Sequence, residues 1–196
     1  MTTPVTNWQE RYLNNNVGWD IGKISPPLKA YFDQLGNKQL KILIPGGGNG
    51  YEAAYLHQHG FENVFLLDIA PKPLADFSSK HQSFPKKHLI AGNYFEHQGR
   101  YDLIVEQTFF CAIHPSDRQL YAKKAHELLK QNGKLMGLLW ATEMNTDLPP
   151  FGGSKAEYLN YFQNLFSIIT LEMAHNSIKP RAGNELFLLA EKNSLV

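Results

Sequence analysis

Ile42-Leu43-Ile44-Pro45-Gly46-Gly47-Gly48-Asn49-Gly50-Tyr51-Glu52 is the stretch that decides the fold. A short Leu/Ile run stopped by Pro and Gly has the length and flanks of a buried strand. Four glycines in five positions then let the backbone turn tightly and meet a ligand with no Cβ in the way. Strand, glycine turn and helix in that order open a nucleotide-binding α/β unit.

An acid at the end of the second strand is the next requirement, because a carboxylate there accepts hydrogen bonds from both hydroxyls of a ribose. Asn63-Val64-Phe65-Leu66-Leu67-Asp68 supplies one, about 20 residues beyond the glycines, the spacing such folds use. The glycines alone do not choose the nucleotide: Gly48-x-Gly50-x-x-Ala53 also fits the Gly/Ala form of the NAD fingerprint. The rest of the chain must decide.

The chain has 196 residues, 43% of them hydrophobic and 19% charged, which suits one globular domain with a sizeable core. Lys plus Arg number 19 against 18 acids, so no charge excess draws nucleic acid or a membrane surface. No stretch reaches the roughly 18 apolar residues of a membrane span. Met1-Thr2-Thr3-Pro4 lacks the layout of a signal peptide. A cytoplasmic protein with small-molecule partners, working as a monomer, is the expectation. The single Cys111 forms no intrachain disulfide and sits in no ligand cluster, and the eight His lack metal-site spacing, so no metal is expected.

Before the first strand, residues 4–32 carry Trp8, Tyr12, Trp19, Tyr31 and Phe32. Trp8 and Tyr12, with Leu13, share a helical face, and Val17-Gly18-Trp19-Asp20-Ile21-Gly22 breaks the helix. The segment either caps the core or folds over the ligand mouth, where aromatic rings suit a cation. After Asp68, Pro71 opens a helix to about His81, and His88–Gly92 is a third strand whose following loop holds Asn93 and Tyr94. Tyr101–Glu106 is the fourth strand, and an unusually apolar connection, Gln107–His114, follows it. Ser116-x-x-Gln119 reads as a capping box for a helix with Leu120, Tyr121, Ala125, Leu128 and Leu129 on its inner face. Lys134–Trp140 is the fifth strand. Pro149-Pro150-Phe151-Gly152-Gly153 is a loop, and a helix over about 154–165 with strands over about 167–173 and 185–191 closes the chain. This predicts an α/β, Rossmann-like doubly wound sheet of about seven strands, mostly parallel with one antiparallel strand near the C-terminus. The single domain, 1–196, divides into an N-terminal lid over about 1–35 and a core over about 40–192.

These stretches together resemble the class I S-adenosylmethionine-dependent methyltransferases, and among them the thiopurine S-methyltransferase and plant-type thiol/halide methyltransferase group. The resemblance rests on Trp8 with Val17-Gly18-Trp19-Asp20-x-Gly22, on Pro45-Gly46-Gly47-Gly48-x-Gly50, on Phe109-Phe110-Cys111-Ala112-Ile113-x-Pro115-x-x-Arg118-x-x-Tyr121-Ala122, and on Pro149-Pro150-Phe151. It implies S-adenosylmethionine as cofactor, with S-adenosylhomocysteine as product. Trp8, Tyr12 and Trp19 would close over the methionine end, Gly46, Gly47, Gly48 and Gly50 would line the floor, and Asp68 with Ile69 beside it would hold the ribose. Asn93 and Tyr94 would flank the adenine, and Glu106 would lie near the amino acid moiety. Arg118 matches an arginine that neighbours substrate and cofactor in the thiopurine enzymes. Tyr12 stands where the family often has Trp, and Gly47 where it often has Cys. The tail Pro180-Arg181-x-Gly183-x-Glu185 looks more like the plant branch.

In-line methyl transfer to an acceptor that is already anionic needs alignment and dryness more than acid or base. The expected acceptors are therefore thiols or bisulfide, thiocyanate and halides, with Phe109, Phe110, Trp140 and Phe151 as pocket walls. Arg118 is a candidate anion-binding group or a tie to Glu106 or Asp117. His114 is a candidate base or a turn residue, and Cys111 a small buried hydrophobe. Three alternatives stand beside this. One is another small acceptor, an oxygen, a nitrogen or a metalloid anion such as tellurite or selenite. Another is an NAD-dependent oxidoreductase, although Tyr121 and Lys124 are one residue too close for the usual Tyr-x-x-x-Lys dyad. The third is a binding module without catalysis.

Overall fold

The computed structural model describes residues 6–193, so the Met1-Thr2-Thr3-Pro4 opening lies outside the described residues. Seven strands form one sheet: β1 Ile42–Pro45, β2 Val64–Asp68, β3 Leu89–Ala91, β4 Tyr101–Gln107, β5 Leu129–Trp140, β6 Phe166–Met173 and β7 Glu185–Lys192. Their order is β3-β2-β1-β4-β5-β7-β6. All neighbours are parallel except β7, which runs antiparallel to both β5 and β6. The six-stranded dinucleotide fold has the order 3-2-1-4-5-6. Here a reversed strand is inserted before the last one, so the sheet departs from the dinucleotide pattern that the glycines alone left open.

Every residue of β1 is buried, as expected of a central parallel strand covered on both faces. The period-two alternation of strands sorts the side chains into two layers. Ile42, Ile44, Leu103, Val105, Met136 and Leu138 pack with Leu28 and Phe32 of α2 (Pro26–Phe32), Ala53 and Leu56 of α3 (Tyr51–Gln58), and Leu74 and Phe77 of α4 (Pro71–Lys80). Leu43, Ile104, Leu135 and Leu139 pack with Tyr121, Ala125 and Leu128 of α5 (Arg118–Leu128) and Tyr158 and Phe162 of α6 (Lys155–Phe162). Burial of each such Leu or Ile is worth ~1.5–3 kcal/mol against exposure. The layers leave the carboxyl edge of β1, β2 and β4 open, where α/β folds bind ligands.

The N-terminal segment has two parts. α1 (Trp8–Leu13) carries no buried residue, whereas α2 buries Pro27, Leu28 and Phe32 in the core. Only residues before α2 are available as a cover.

Three local expectations differ from what is found. Ser116 does not cap α5: Pro115–Asp117 is a 3₁₀ turn, and the His114 ring accepts from the Ser116 N–H at 3.3 Å. Pro115 fixes the first φ and has no N–H to offer, which moves the cap one residue ahead of it. Leu120 is 53% exposed, because the helix proper starts at Arg118 and its inward face follows Tyr121, Ala125 and Leu128. α6 ends at Phe162, three residues short of Leu165.

Candidate active site

Gly46, Gly47 and Gly48 form the floor of an open cleft whose wall includes Ile44, Asn49, Tyr51, Glu52, Gln107 and Thr108. Tyr12, Trp19, Asp20, Ile21 and Lys23 of the N-terminal segment stand above it. The glycines are required sterically. Gly46 and Gly48 have φ of 58° and 51°; a Cβ on Gly46 would overlap the Phe109 ring, and one on Gly48 would overlap the Tyr12 hydroxyl.

Asp68 closes β2 beside this floor. Its carboxylate accepts from the Gly48 N–H at 2.9 Å and the Ala70 N–H at 2.8 Å. Burial raises its pKa, and the hydrogen bonds from Ala70 and Gly48 oppose that. Ile69, next to it, is exposed. Asn93 builds its own turn by accepting from Phe95 N–H at 3.0 Å. Tyr94 is buried and stacked on Tyr121 with ring centres 5.2 Å apart; its edge meets Phe109, whose ring rests over Gly46.

Trp19 and Tyr12 line the cleft, and Trp8 does not. The edge of Trp8 meets Trp19 at 5.5 Å, and the Arg11 guanidinium lies 4.5 Å from the Trp19 ring centre. The chain's own cation therefore occupies one aromatic face that the sequence offers to a ligand.

Glu106 and Gln107 divide the end of β4 between the two layers. Both backbone N–H groups of Phe109 and Phe110 donate to Glu106 Oε1, at 2.9 and 2.8 Å, and the Tyr121 hydroxyl donates to Oε2 at 3.1 Å. Glu106 thus braces the turn that carries Phe109 from within the core, and Gln107 lines the cleft instead. Gln107 Oε1 is buried with no hydrogen-bond partner, a rare condition for an amide oxygen. Thr108 follows with φ 57°, which for a β-branched residue is a strained conformation of the kind found at functional sites.

Burial pushes the Glu106 carboxyl up to about 7, against the hydrogen bonds of Phe110, Phe109 and Tyr121 and the charge of Arg118. A folded-state value above the unfolded one makes the proton part of the folded state. The stability from this group is full below about pH 4.5 and is lost as pH rises to about 7. A Glu106→Gln variant keeps one oxygen for the two N–H donors and has no charge to desolvate. Urea titrations at pH 5 and pH 8 are expected to show the wild type losing roughly 3 kcal/mol relative to the variant across that interval. Parallel pH dependence of the two proteins is the contrary result.

Arg118 is 1% exposed and does not face the cleft. It pairs with Glu157 of α6 at 2.8 Å, donates to the Phe151 carbonyl at 3.2 Å and lies over the Phe110 ring at 4.9 Å. Its partner is neither Glu106 nor Asp117; the guanidinium ties α5, α6 and the 141–153 loop together. Phe110 and Phe151 are buried with it. Burial pushes the Cys111 thiol up to about 12, and its Sγ donates to the Thr108 carbonyl at 3.3 Å. His114 is committed to Ser116.

Sequence reasoning missed Asp20, Asn49, Tyr51, Glu52, Gln107 and Thr108 of the cleft, and also Arg181. The buried Arg181 guanidinium donates to the Trp19 carbonyl at 2.6 Å, pairs with Glu185 at 3.2 Å and lies 5.4 Å from the centre of the Trp140 ring. Gln107 was within reach of strand alternation counted from Val105. Arg181 stands in the tail motif with Glu185, but its partner Trp19 is 162 residues away, so the motif alone did not show what it holds.

A glycine-floored cleft with a buried acid at the end of β2 and an aromatic cover, on a sheet with β7 reversed beside the last strand, has the layout of an S-adenosylmethionine-dependent methyltransferase. The fold matches the Burkholderia thailandensis 1,6-didemethyltoxoflavin-N1-methyltransferase solved with 1,6-didemethyltoxoflavin and S-adenosylhomocysteine, with TM-score 0.78 and 17% identity over 99% of this chain and 94% of that one. The thiopurine S-methyltransferase (TPMT) family pattern matches residues 4–194, and the chain belongs to that family. Among its relatives are probable thiol methyltransferase 2 and thiocyanate methyltransferase 1 of Arabidopsis thaliana, each 27% identical over 91% of this chain and 81% of the relative.

The cleft's own atoms fit that cofactor. The orphaned Gln107 Oε1 is an acceptor in need of an N–H donor, which an ammonium group supplies, and the Cβ-free floor admits close backbone approach. Gln107→Leu keeps the volume and removes the acceptor. The expected result is a donor Kd about tenfold weaker by calorimetry with folding unchanged; unchanged affinity would assign the ammonium elsewhere.

Proposed function

We propose that this protein moves the methyl group of S-adenosylmethionine to a small, soft, anionic nucleophile: bisulfide or another low-pKa thiol, thiocyanate or a halide. The aromatic surface carries the reading: Tyr12 and Trp19 line the cleft, and Trp140 stands at the end of β5 against the Arg181 guanidinium, whose charge is matched by Glu185. Walls of this kind strip water from an incoming nucleophile, which suits a soft, weakly hydrated anion. The Arabidopsis relatives, a probable thiol methyltransferase and a thiocyanate methyltransferase, agree with that preference.

The bound donor supplies an electrophilic methyl group on positively charged sulfur. The chain's contribution is placement and dryness, and orientation of two reactants is worth roughly 7–11 kcal/mol. Gly46 to Gly48 and Asp68 hold the nucleoside end, Gln107 the ammonium, and Tyr12 and Trp19 shut out water from above. Asn93 and Ile69 flank the adenine side. Phe109 and Trp140 form the acceptor walls, with Phe110, Phe151 and Arg118 holding them from behind. An acceptor that arrives ionised needs no base, which suits a site whose nearby His114 is bonded to Ser116.

The test is S-adenosylhomocysteine formation with bisulfide, thiocyanate, iodide, thiophenolate, a thiopurine and tellurite in parallel. The highest kcat/KM is expected among the small soft anions. Tellurite, the thiopurine, or an oxygen or nitrogen acceptor turning over faster than all of them would overturn the reading.

A further inference from the structure

The motif Val17-Gly18-Trp19-Asp20-Ile21-Gly22 contains an aspartate that the proposed transfer leaves unused. Its Oδ1 accepts from the Gly22 N–H at 2.6 Å, closing its own turn. Its Oδ2 crosses to the core, where the Asn49 side-chain amide and the Tyr51 hydroxyl, the latter at 3.1 Å, both donate to it. Asn49 lies within the glycine turn and Tyr51 is the first residue of α3. The carboxylate therefore spans from the cover to the floor.

Trp19, the residue before it, is held from the other side by Arg181, which donates to its carbonyl. The edges of Trp8 and Tyr12 meet the Trp19 ring at 5.5 and 5.7 Å, and the Tyr12 hydroxyl lies over Gly48. Moving Asp20 moves this whole cover relative to the glycines. Three donors converge on its two oxygens, an arrangement that a carboxylate satisfies in full.

We propose that Asp20 is the positioning residue of the donor cleft: it holds the aromatic cover at a fixed height above the glycine floor through Asn49 and Tyr51, without gripping the donor itself. A cover ordered in advance spares the ordering cost that binding would otherwise carry. The proposal rests on the donor-cleft reading above.

A polarity swap tests it. Asn49→Asp alone sets two carboxylates against each other, and like-charge opposition of that kind is expected to weaken donor binding about thirtyfold. Asp20→Asn combined with Asn49→Asp restores one amide donating to one carboxylate with the roles exchanged. The double variant is expected to bind within about threefold of wild type, the hydrogen bond being equivalent. Tyr51→Phe is expected to cost about threefold, one neutral donor being lost, and gives a second readout should Asn49→Asp fold poorly. In donor-free protein, Trp8 and Trp19 fluorescence is expected to shift to the red in Asn49→Asp and to return in the double variant. If Asp20 touches the donor directly, the double variant binds no better than either single one, and that result overturns the proposal. An emission spectrum that does not return in the double variant overturns it as well. A wild type that binds no donor defeats the reading of the cleft instead, and the donor-free fluorescence series still judges the latch.

Discussion

Gly46→Ala is expected to lower kcat/KM by about two to three orders of magnitude, because misplacement by an ångström in a positioning site costs on that order. Gly46 has φ 58°, and an added methyl meets the Cβ, Cγ and Cδ2 atoms of Phe109. Overlap at Cβ is not relieved by rotating the ring. Phe109 cannot retreat as a whole either, since its N–H is bonded to the buried Glu106. The left-handed backbone adds ~1–2 kcal/mol of strain. The combined loss of stability is expected near ~3 kcal/mol, roughly 6–12 °C in Tm for a chain this long. Gly36→Ala, at a residue with ordinary φ and open space around it, is the control and is expected to leave both quantities unchanged. An active Gly46→Ala protein with wild-type KM would mean that the floor of the cleft lies elsewhere.

Asp68→Asn is expected to raise the donor Kd about a hundredfold, the loss of two charge-assisted hydrogen bonds. The two backbone N–H groups that converge on this carboxylate, from Gly48 and Ala70, need acceptors on both oxygens. An amide turns a donor toward one of them. The same variant therefore loosens the glycine turn and leaves ribose hydroxyls with one acceptor. Burial raises the Asp68 pKa above the ordinary carboxylate value. For wild type, donor affinity is consequently expected to fall on acidification sooner than an exposed aspartate would dictate, because the protonated acid gives up its role as a double acceptor. Calorimetric titrations at descending pH check this, and an Asp68→Asn protein that binds donor as wild type does would remove Asp68 from the site.

Most of the architecture was legible because its signals are local. The apolar runs of β1, β2 and β4, the glycines after β1 and the acid twenty residues on each act within one βα unit. The reversed strand near the C-terminus was expected from the two strands that close the chain with no helix between them. The site was legible only where the motif itself supplies the lining: Tyr12, Trp19 and Gly46 to Gly48. Elsewhere the deciding partner is far along the chain. Nothing near Asp20 announces Asn49, and nothing near Arg118 announces Glu157, 39 residues later. Phe110 looked like a pocket wall because loops that expose apolar residues usually bind something, yet Glu106 draws its backbone inward and Arg118 covers its ring. Glu106 was expected near the amino acid moiety of the cofactor; strand alternation turns its side chain into the core, and Gln107, one residue on, lines the cleft.

The central claim is that a methyl group leaves the cleft on a soft anion. Headspace mass spectrometry over purified protein, given methyl-deuterated S-adenosylmethionine and either thiocyanate or bisulfide, measures that directly. The expected products are trideuterated methyl thiocyanate and trideuterated methanethiol, each formed with an equal amount of S-adenosylhomocysteine. Donor that binds but yields neither labelled product nor S-adenosylhomocysteine would contradict it.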